Sequence, residues 1–326
     1  MSLQNCPICN SSTFGPSGIS IKLSDTLLRW EKVMDRKFPE TVWESYRQFQ
    51  NESIELNECT DCGFGRFEPL VSGNVEFYEN ISAIDYYNDD KWEFGSALCE
   101  IQSAGANRIL DVGCGSGIFL NYLKRHMPNA ELVGYDLNAE ILSKLAVNGV
   151  GVLSGDLSQI KKLSVDEAKF DAVCILQTLE HVRDPVDFLL TFLGLLRPGG
   201  VLIITTPNAA GPIRNFPDAL TEVPPHHITR WTEAALGILL RNQGLKINTV
   251  QFEPLPEYLW DAYLPEMWDE PIWPARILDP LARRNGMLTV GERSGFAAKL
   301  MRDAGVRWLY GVAGHTIFVA ATREYA

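Results

Sequence analysis

The stretch Arg108-Ile-Leu-Asp-Val-Gly-Cys-Gly-Ser-Gly117 decides how the rest of the chain is read. Ile109, Leu110 and Val112 read as a buried strand, and Gly113, Gly115 and Gly117 follow at alternate positions. Glycines so spaced let the backbone turn tightly and approach a ligand closely. Such a turn at the carboxyl end of a strand, opening the helix Ile118–Met127, is where open α/β sheets bind nucleotides. A dinucleotide enzyme would prefer GxGxxG, with glycine at the position held here by Ile118. Asp111, just before the loop, fits poorly beside a pyrophosphate. It fits the ammonium of an amino-acid tail, directly or by holding the loop in shape.

Further strands follow in the rhythm of a parallel sheet covered on both faces. Leu132–Tyr135 is a second strand ending at Asp136, 19 residues past Gly117, where a carboxylate can accept from both ribose hydroxyls. Val150–Leu153 is a third; beyond it Asp156 can accept from an exocyclic adenine amine, with Leu157 against the ring. Phe170–Leu176 is a fourth, and Asp184-Pro185 opens a helix because Asp caps and Pro suits the first helical position. Val201–Thr205 is a fifth, Thr232 caps the helix Glu233–Gln243, and Leu245–Phe252 and Thr316–Thr322 complete seven strands. The expected fold is α/β: a doubly wound, Rossmann-like seven-stranded sheet.

Ile109–Gly117, Gly134-Tyr-Asp136, Gly155-Asp-Leu157, Phe170-Asp-Ala-Val173, Glu180-His-Val182 and Leu196-Arg-Pro-Gly-Gly200 together resemble class I S-adenosylmethionine-dependent methyltransferases. The resemblance implies that Gly113, Gly115 and Gly117 line the methionine part, Asp136 the ribose and Asp156 the adenine. It also implies that Gln177 faces the methionine tail or methyl donor, and that the last strand runs antiparallel in a hairpin. Related enzymes fold an N-terminal lid over the cofactor, a role open to Tyr86 and Tyr87; ordinary aromatic packing is the other reading. A Rossmann-like domain with another nucleotide, or none, is the alternative to the whole.

Cys6-Pro-Ile-Cys9 and Cys59-Thr-Asp-Cys62 are two CxxC knuckles, which together make an S4 site suited to zinc. The 49 residues between Cys9 and Cys59 require an insertion, and residues 24–50 read as helical, interrupted at Pro39. With every position filled by protein, the zinc would be structural. A redox CxxC and chance pairs of buried cysteines compete with this reading. The expected organisation is a small zinc-binding domain over 1–80, a cofactor-binding domain over 81–252 and 309–326, and an aromatic-rich insertion over 253–308.

The cofactor of the resembling family carries an activated methyl group, so the protein mainly aligns the acceptor. A hydroxyl or carbon acceptor also needs a base, and histidine suits neutral pH. His181 follows the fourth strand, and His226 and His227 lie in Glu222-Val-Pro-Pro-His-His-Ile-Thr-Arg-Trp231 after the fifth, all at the carboxyl edge. Helix caps or hydrogen-bonded loop residues are the bland reading of each, and His126 and His315 read as structural. Knuckles ahead of this domain and a histidine loop after the fifth strand are similar to sugar C-methyltransferases; the loop and Glu-His-Val turn are also similar to ubiquinone-type O-methyltransferases. The chain ends soon after the seventh strand without the extra domain of the sugar enzymes, which favours O-methylation of a small-molecule or glycan hydroxyl.

The 326 residues carry 29 Lys plus Arg against 41 Asp plus Glu, a formal charge of −12, which argues against a nucleic-acid partner and makes an RNA methyltransferase the weakest alternative. No apolar run approaches the roughly 18–20 residues of a membrane span. Seven cysteines without an export signal suggest a reducing, cytoplasmic setting. In the insertion, residues 253–279 hold seven acids and residues 280–307 six basic residues. That sign change suits pairing within the segment or in a homodimer, and its aromatics suit an interface or cleft. A non-catalytic module that keeps the cofactor fold remains the competing function class.

Overall fold

The computed structural model describes residues 5–81, 91–163, 169–270 and 272–323. Three strands come first: β1 (Phe14–Lys22), β2 (Ser53–Cys59) and β3 (Gly65–Glu68). Five more follow: β4 (Arg108–Val112), β5 (Glu131–Tyr135), β6 (Gly151–Leu153), β7 (Phe170–Leu176) and β8 (Leu196–Pro207). The short β9 (Thr229–Arg230) precedes the long pair β10 (Leu245–Pro256) and β11 (Trp308–Arg323).

The larger sheet has seven strands in the order β10-β11-β8-β7-β4-β5-β6. Within it β8, β7, β4, β5 and β6 run parallel, and β11 is antiparallel to both β8 and β10. Successive strand residues face opposite ways, and the two cores follow from that alternation. Leu110, Val112, Val173, Ile175, Leu202 and Ile204 join one core, with residues of helices Pro185–Leu193 and Glu233–Asn242. Ile109, Ala172, Cys174, Val201 and Ile203 join the other, against helices Trp92–Ser103, Ile118–His126 and Ala139–Val147. Strands apolar on both faces are what a sheet buried between two helical layers requires.

The loops between β strands and helices reach the carboxyl edge as their sequences direct. Asn138 caps Ala139–Val147 by accepting from the Glu140 and Ile141 amides, and the Asp184 side chain accepts from Asp187 N–H with Pro185 at the first turn. Thr232 caps Glu233–Asn242, and Gly244 follows it at φ 70°.

A second, four-stranded sheet has the order β1-β2-β3-β9. Its fourth strand comes from the loop carrying His226 and His227, where Thr229 and Arg230 pair with Arg66 and Gly65. The cysteine knuckles share the main core: Cys6, Ile8, Cys59, Cys62 and Phe64 cluster with Trp231, Leu236 and Leu239.

Between β10 and β11 lie helices Trp260–Met267, Trp273–Arg284 and Val290–Asp303. Part of the aromatic run packs inside the insertion, while Tyr258 is 71% exposed. Trp260, Tyr263 and Trp268 are buried with Leu264, Ala297 and Met301 in a core of the insertion's own. The opposed charges pair inside the segment, Arg302 with Asp261 and Glu257, Arg307 with Glu257, and Arg293 with Asp279. Among the described residues, no helix is long and apolar enough to cross a membrane.

Candidate active site and cysteine cluster

Backbone shape comes first at the glycine loop. Gly113, Gly115 and Gly117 have φ of 75°, 49° and 80°, a region L side chains rarely adopt. A methyl on Gly113 would stand 2.4 Å from Thr178 Oγ1, and one on Gly117 2.4 Å from Leu145 Cδ2. The Asp136 carboxylate holds the loop from the neighbouring strand, accepting from Gly115 N–H at 3.0 Å and from Asn138 N–H at 2.9 Å. Asp111 is buried beneath them, and burial, then the charge of Asp136, pushes its carboxyl up to about 8.

Leu137 is 72% exposed at the tip of β5, although a large aliphatic side chain gains by leaving water. Leu157 is half-buried nearby in sequence to Asp156. Asp156 caps the short helix Leu157–Ile160, its Oδ1 accepting from Gln159 N–H at 2.9 Å and Ser158 Oγ at 2.6 Å. Gln177 follows the end of β7 at φ 49°, one of three described non-glycine residues with positive φ. Its N–H donates to Thr205 O at 3.0 Å, and its side chain reaches Thr316 Oγ1 at 3.5 Å. Such a conformation costs on the order of 1–3 kcal/mol and is a mark of functional positions. Exposed Leu137, the Asp136 carboxylate that holds the glycine turn and the buried Asp111 are what this edge of the sheet offers a ligand. Tyr86 and Tyr87 lie outside the described residues.

The three candidate histidines meet. Ring centroids are 4.9 Å apart for His181–His226, 4.8 Å for His181–His227 and 4.4 Å for His226–His227. His181 Nδ1 donates to His226 O at 2.7 Å, and His226 Nδ1 to Thr221 O at 2.9 Å. A carbonyl can only accept, so both rings carry the proton on Nδ1. Burial lowers the pKa of all three and keeps them neutral.

Sequence reasoning missed four neighbours. Tyr78 Oη lies 2.9 Å from His181 Nδ1 and donates to His226 O at 3.1 Å. Glu222 Oε2 lies 3.2 Å from His227 Nδ1, and Glu180 Oε1 3.9 Å from His227 Nε2. His315, expected to be structural, has Nε2 3.9 Å from Glu222 Oε1 and Nδ1 3.4 Å from Tyr263 Oη. Burial pushes Glu180 up to about 8. Glu180 adjoins His181 in sequence and Glu222 begins the histidine loop, so the signal was position beside a named histidine. His126 is on the outer helix surface with Nδ1 2.8 Å from Tyr122 O, away from this group.

The four knuckle cysteines also converge, with their sulfurs all within 4.8 Å of one another. Cys6 and Cys62 are 3.6 Å apart and Cys9 and Cys59 3.5 Å. Four sulfurs about 2.3 Å from a tetrahedral ion would sit about 3.8 Å apart, so the spacing fits a metal centre. Burial raises Cys6 to about 11 and raises Cys62 further. At Cys59 burial also acts upward, but the Cys62 and Asp61 amides and the Thr13 hydroxyl bring it down to about 7.

A glycine turn at the carboxyl edge of a seven-stranded sheet, parallel but for the antiparallel β11, defines a Rossmann-like α/β protein. A family profile described as a methyltransferase domain matches residues 80–250, more than half of the chain, and the chain belongs to that family. It is an S-adenosylmethionine-dependent methyltransferase. A ubiquinone biosynthesis O-methyltransferase of Xanthomonas axonopodis pv. citri is 31% identical over 182 residues, 51% of this chain and 74% of that protein. One from Alkalilimnicola ehrlichii is 35% identical over 105 residues, 31% of this chain and 42% of that protein. A solved S-adenosylmethionine-dependent methyltransferase from Archaeoglobus fulgidus is 20% identical, covering 70% of this chain and 94% of that one at a TM-score of 0.44.

Proposed function

We propose that the chain methylates a hydroxyl of a small-molecule acceptor, with the proton taken by a histidine of the His181, His226 and His227 group. The observation carrying this is the convergence of those three neutral rings, His181 five residues past the end of β7 and His226 and His227 in the loop between β8 and β9. The similar proteins named as ubiquinone O-methyltransferases support an oxygen acceptor. S-adenosylmethionine, when bound, supplies a methyl group on a sulfonium centre. The chain's residues do the rest. Asp136 would take the ribose hydroxyls, Asp156 and Leu157 the adenine, and Asp111 and the glycine turn the amino-acid tail, with Gln177 facing the methyl donor. His181 and His226 each keep a lone pair on Nε2, which is what a base needs. We also propose that Cys6, Cys9, Cys59 and Cys62 hold a structural zinc, which calls for the reducing environment of a cytoplasm.

The test is turnover of labelled cofactor against a panel of phenols and sugars with His181→Gln, His226→Gln and His227→Gln. Loss of the base should lower turnover by on the order of 10²–10⁴ while cofactor affinity stays nearly unchanged. His126→Gln is the control. Wild-type turnover in all three variants would sink histidine catalysis.

A further inference from the structure

We infer that His181, His226 and His227 form a second metal site, separate from the cysteine cluster, which takes one divalent ion of borderline softness such as zinc. The assignment goes beyond methyl transfer and competes with the histidine base at the same atoms: a ring whose Nε2 is ligated has no lone pair to take a proton, so the metal count below also decides which role the cluster has.

Donor geometry is the first ground. One ring nitrogen from each histidine lies within 4.8 Å of the other two. Nitrogens bound at about 2.0–2.1 Å to a tetrahedral ion sit about 3.4 Å apart, so closure asks each ring to shift by roughly 1 Å or less. The tautomers suit ligation. His181 and His226 direct Nδ1–H to backbone carbonyls, leaving Nε2 as the lone-pair nitrogen. A metal-bound histidine characteristically donates its other N–H to a carbonyl or carboxylate. For His227 the neighbouring oxygen is Glu222 Oε2, at 3.2 Å.

The second ground is independent of the rings' spacing. Glu180 is 1% exposed, and neither of its carboxylate oxygens has a hydrogen-bond partner among the described residues. His227, 3% exposed, likewise has no aligned partner at Nδ1. Unpaired buried polar atoms are rare, because each costs on the order of 1–3 kcal/mol and an unpaired charge costs more. Glu180 Oε1 lies 3.9 Å from His227 Nε2, while the unpaired Nδ1 of the same ring lies 3.2 Å from Glu222 Oε2. Arg230, three residues past His227, directs its guanidinium to the Pro217 and Glu222 carbonyls, and its charge acts on Glu222. Lys91 acts on Glu180 electrostatically without a described hydrogen bond. A dication ligated by the imidazoles would stand beside the Glu180 carboxyl, whose two oxygens have no hydrogen-bond partner among the described residues.

Three nitrogens with carboxylates alongside differ in kind from four sulfurs. The cysteine cluster fills every position of a tetrahedral ion, whereas the histidine site leaves one for an oxygen ligand. That ligand would be a water or the oxygen of an acceptor.

The experiment uses the full chain, dialysed against zinc and then against metal-free buffer, and counts bound metal. Two equivalents per chain are expected. His226→Gln and His227→Asn should each bring the count to one, weakening the second equivalent by about 100-fold or more. Titration of wild type with Co(II) alone, after mild chelation has emptied the weaker site, then reports the ligands. The added ion should give ligand-field bands of a nitrogen and oxygen set without thiolate-to-cobalt charge transfer. A single equivalent in folded wild-type protein overturns the proposal even if the variants misfold, as does a second equivalent that carries thiolate bands. Calorimetry with S-adenosylmethionine on the same samples separates the two readings. Intact cofactor binding with one metal removes only this site, and absent cofactor binding removes the methyl-transfer reading and leaves the metal result standing.

Discussion

Gly113→Ala is the substitution with the clearest arithmetic. Gly113 has φ 75°, and an alanine there gives up roughly 1–2 kcal/mol for the left-handed backbone. Its new methyl would also lie 2.4 Å from Thr178 Oγ1, 2.6 Å from Cγ2 and 3.1 Å from Cβ. Overpacking of that kind costs about 1–3 kcal/mol, giving a total of about 2–5 kcal/mol. Thr178 cannot swing away without loss, because Oγ1 is directed at Val112 O (3.2 Å) and Leu176 O (3.0 Å). Thr178→Ala alone should therefore cost about 1 kcal/mol. In the double variant the clash with Oγ1 and Cγ2 is gone while the backbone strain stays, so the two changes should couple favourably by about 1–2 kcal/mol. Gly149→Ala is the internal standard: its φ is 76° with nothing within 4 Å of the new methyl, so it reports the backbone cost by itself. Urea unfolding of the four variants, at matched slopes, measures each quantity. Equal losses in Gly113→Ala and Gly149→Ala, or additive behaviour in the cycle, would refute the claim that Thr178 closes the space above the turn.

Asp136→Ala should weaken S-adenosylmethionine by roughly 2–3 kcal/mol in calorimetry, since the ribose hydroxyls lose a charged acceptor and Gly115 N–H loses the partner that holds the loop. Asp111, pushed up to about 8 by burial and then by Asp136, should make cofactor binding release protons. An acid raised in the folded state holds its proton where the unfolded chain has lost it, so without cofactor stability falls as pH climbs from about 4 to about 8. A cofactor ammonium beside Asp111 should draw that pKa down, and calorimetry at pH 7 in buffers of different ionisation enthalpy should detect net proton release that Asp111→Asn abolishes. Asp171 behaves oppositely: burial acts upward, but the Asn107 and Arg108 amides and Arg197 outweigh it and lower its pKa. Its stabilisation is present above the unfolded pKa near 3.9 and is lost as pH falls through the lower folded value, so Asp171→Asn should flatten the acid limb of a stability–pH curve. Stripping metal with a chelator should lower the melting temperature of wild type, and thiol counting should find Cys6, Cys9, Cys59 and Cys62 newly reactive; unchanged reactivity would count against zinc on those sulfurs.

Much of the large sheet was legible because its signals are local. Ile109 and Leu110 are fixed to opposite faces by strand geometry, and Asp184-Pro185 and Thr232 mark helix starts by chemistry that acts within four residues. Strand ends were less legible. β11 begins at Trp308, eight residues before the apolar run at Thr316, because its early part pairs with Leu255 and Pro256 in a segment whose composition gives no alternation. β9 has two residues, too few to carry a period, and its partner β3 is more than 160 positions away in sequence. The histidine group was legible as a set because each ring follows a strand at the carboxyl edge. Tyr78 was not, since nothing in its own neighbourhood says that the N-terminal segment folds back onto His181 and His226. The insertion's tryptophans illustrate the same limit: composition reports that Trp260 and Trp268 are large and apolar, while only packing says they are buried against Met301 and Leu264.

The cysteine cluster and the histidine loop look unrelated in sequence, yet one short path joins them. Cys59 ends β2 and Cys62 closes its knuckle just before β3 begins at Gly65. β3 pairs through Gly65 and Arg66 with Arg230 and Thr229, two residues beyond His227. Thr232 Oγ1 then donates to Cys62 O at 2.5 Å while capping the next helix, and Phe67 N–H donates to Ile228 O at 3.0 Å. Trp30 and Tyr78, from the same N-terminal part, pack on the His226 ring at 5.7 Å and 6.0 Å between centroids. A two-residue strand has too few ladder bonds to hold a loop by itself. Here it is fixed at both ends, by the knuckle on one side and by aromatic packing on the other. The closed sulfur cluster, far from being a detached appendage, sets the backbone on which His226 and His227 sit, and loosening it should be felt first at those rings.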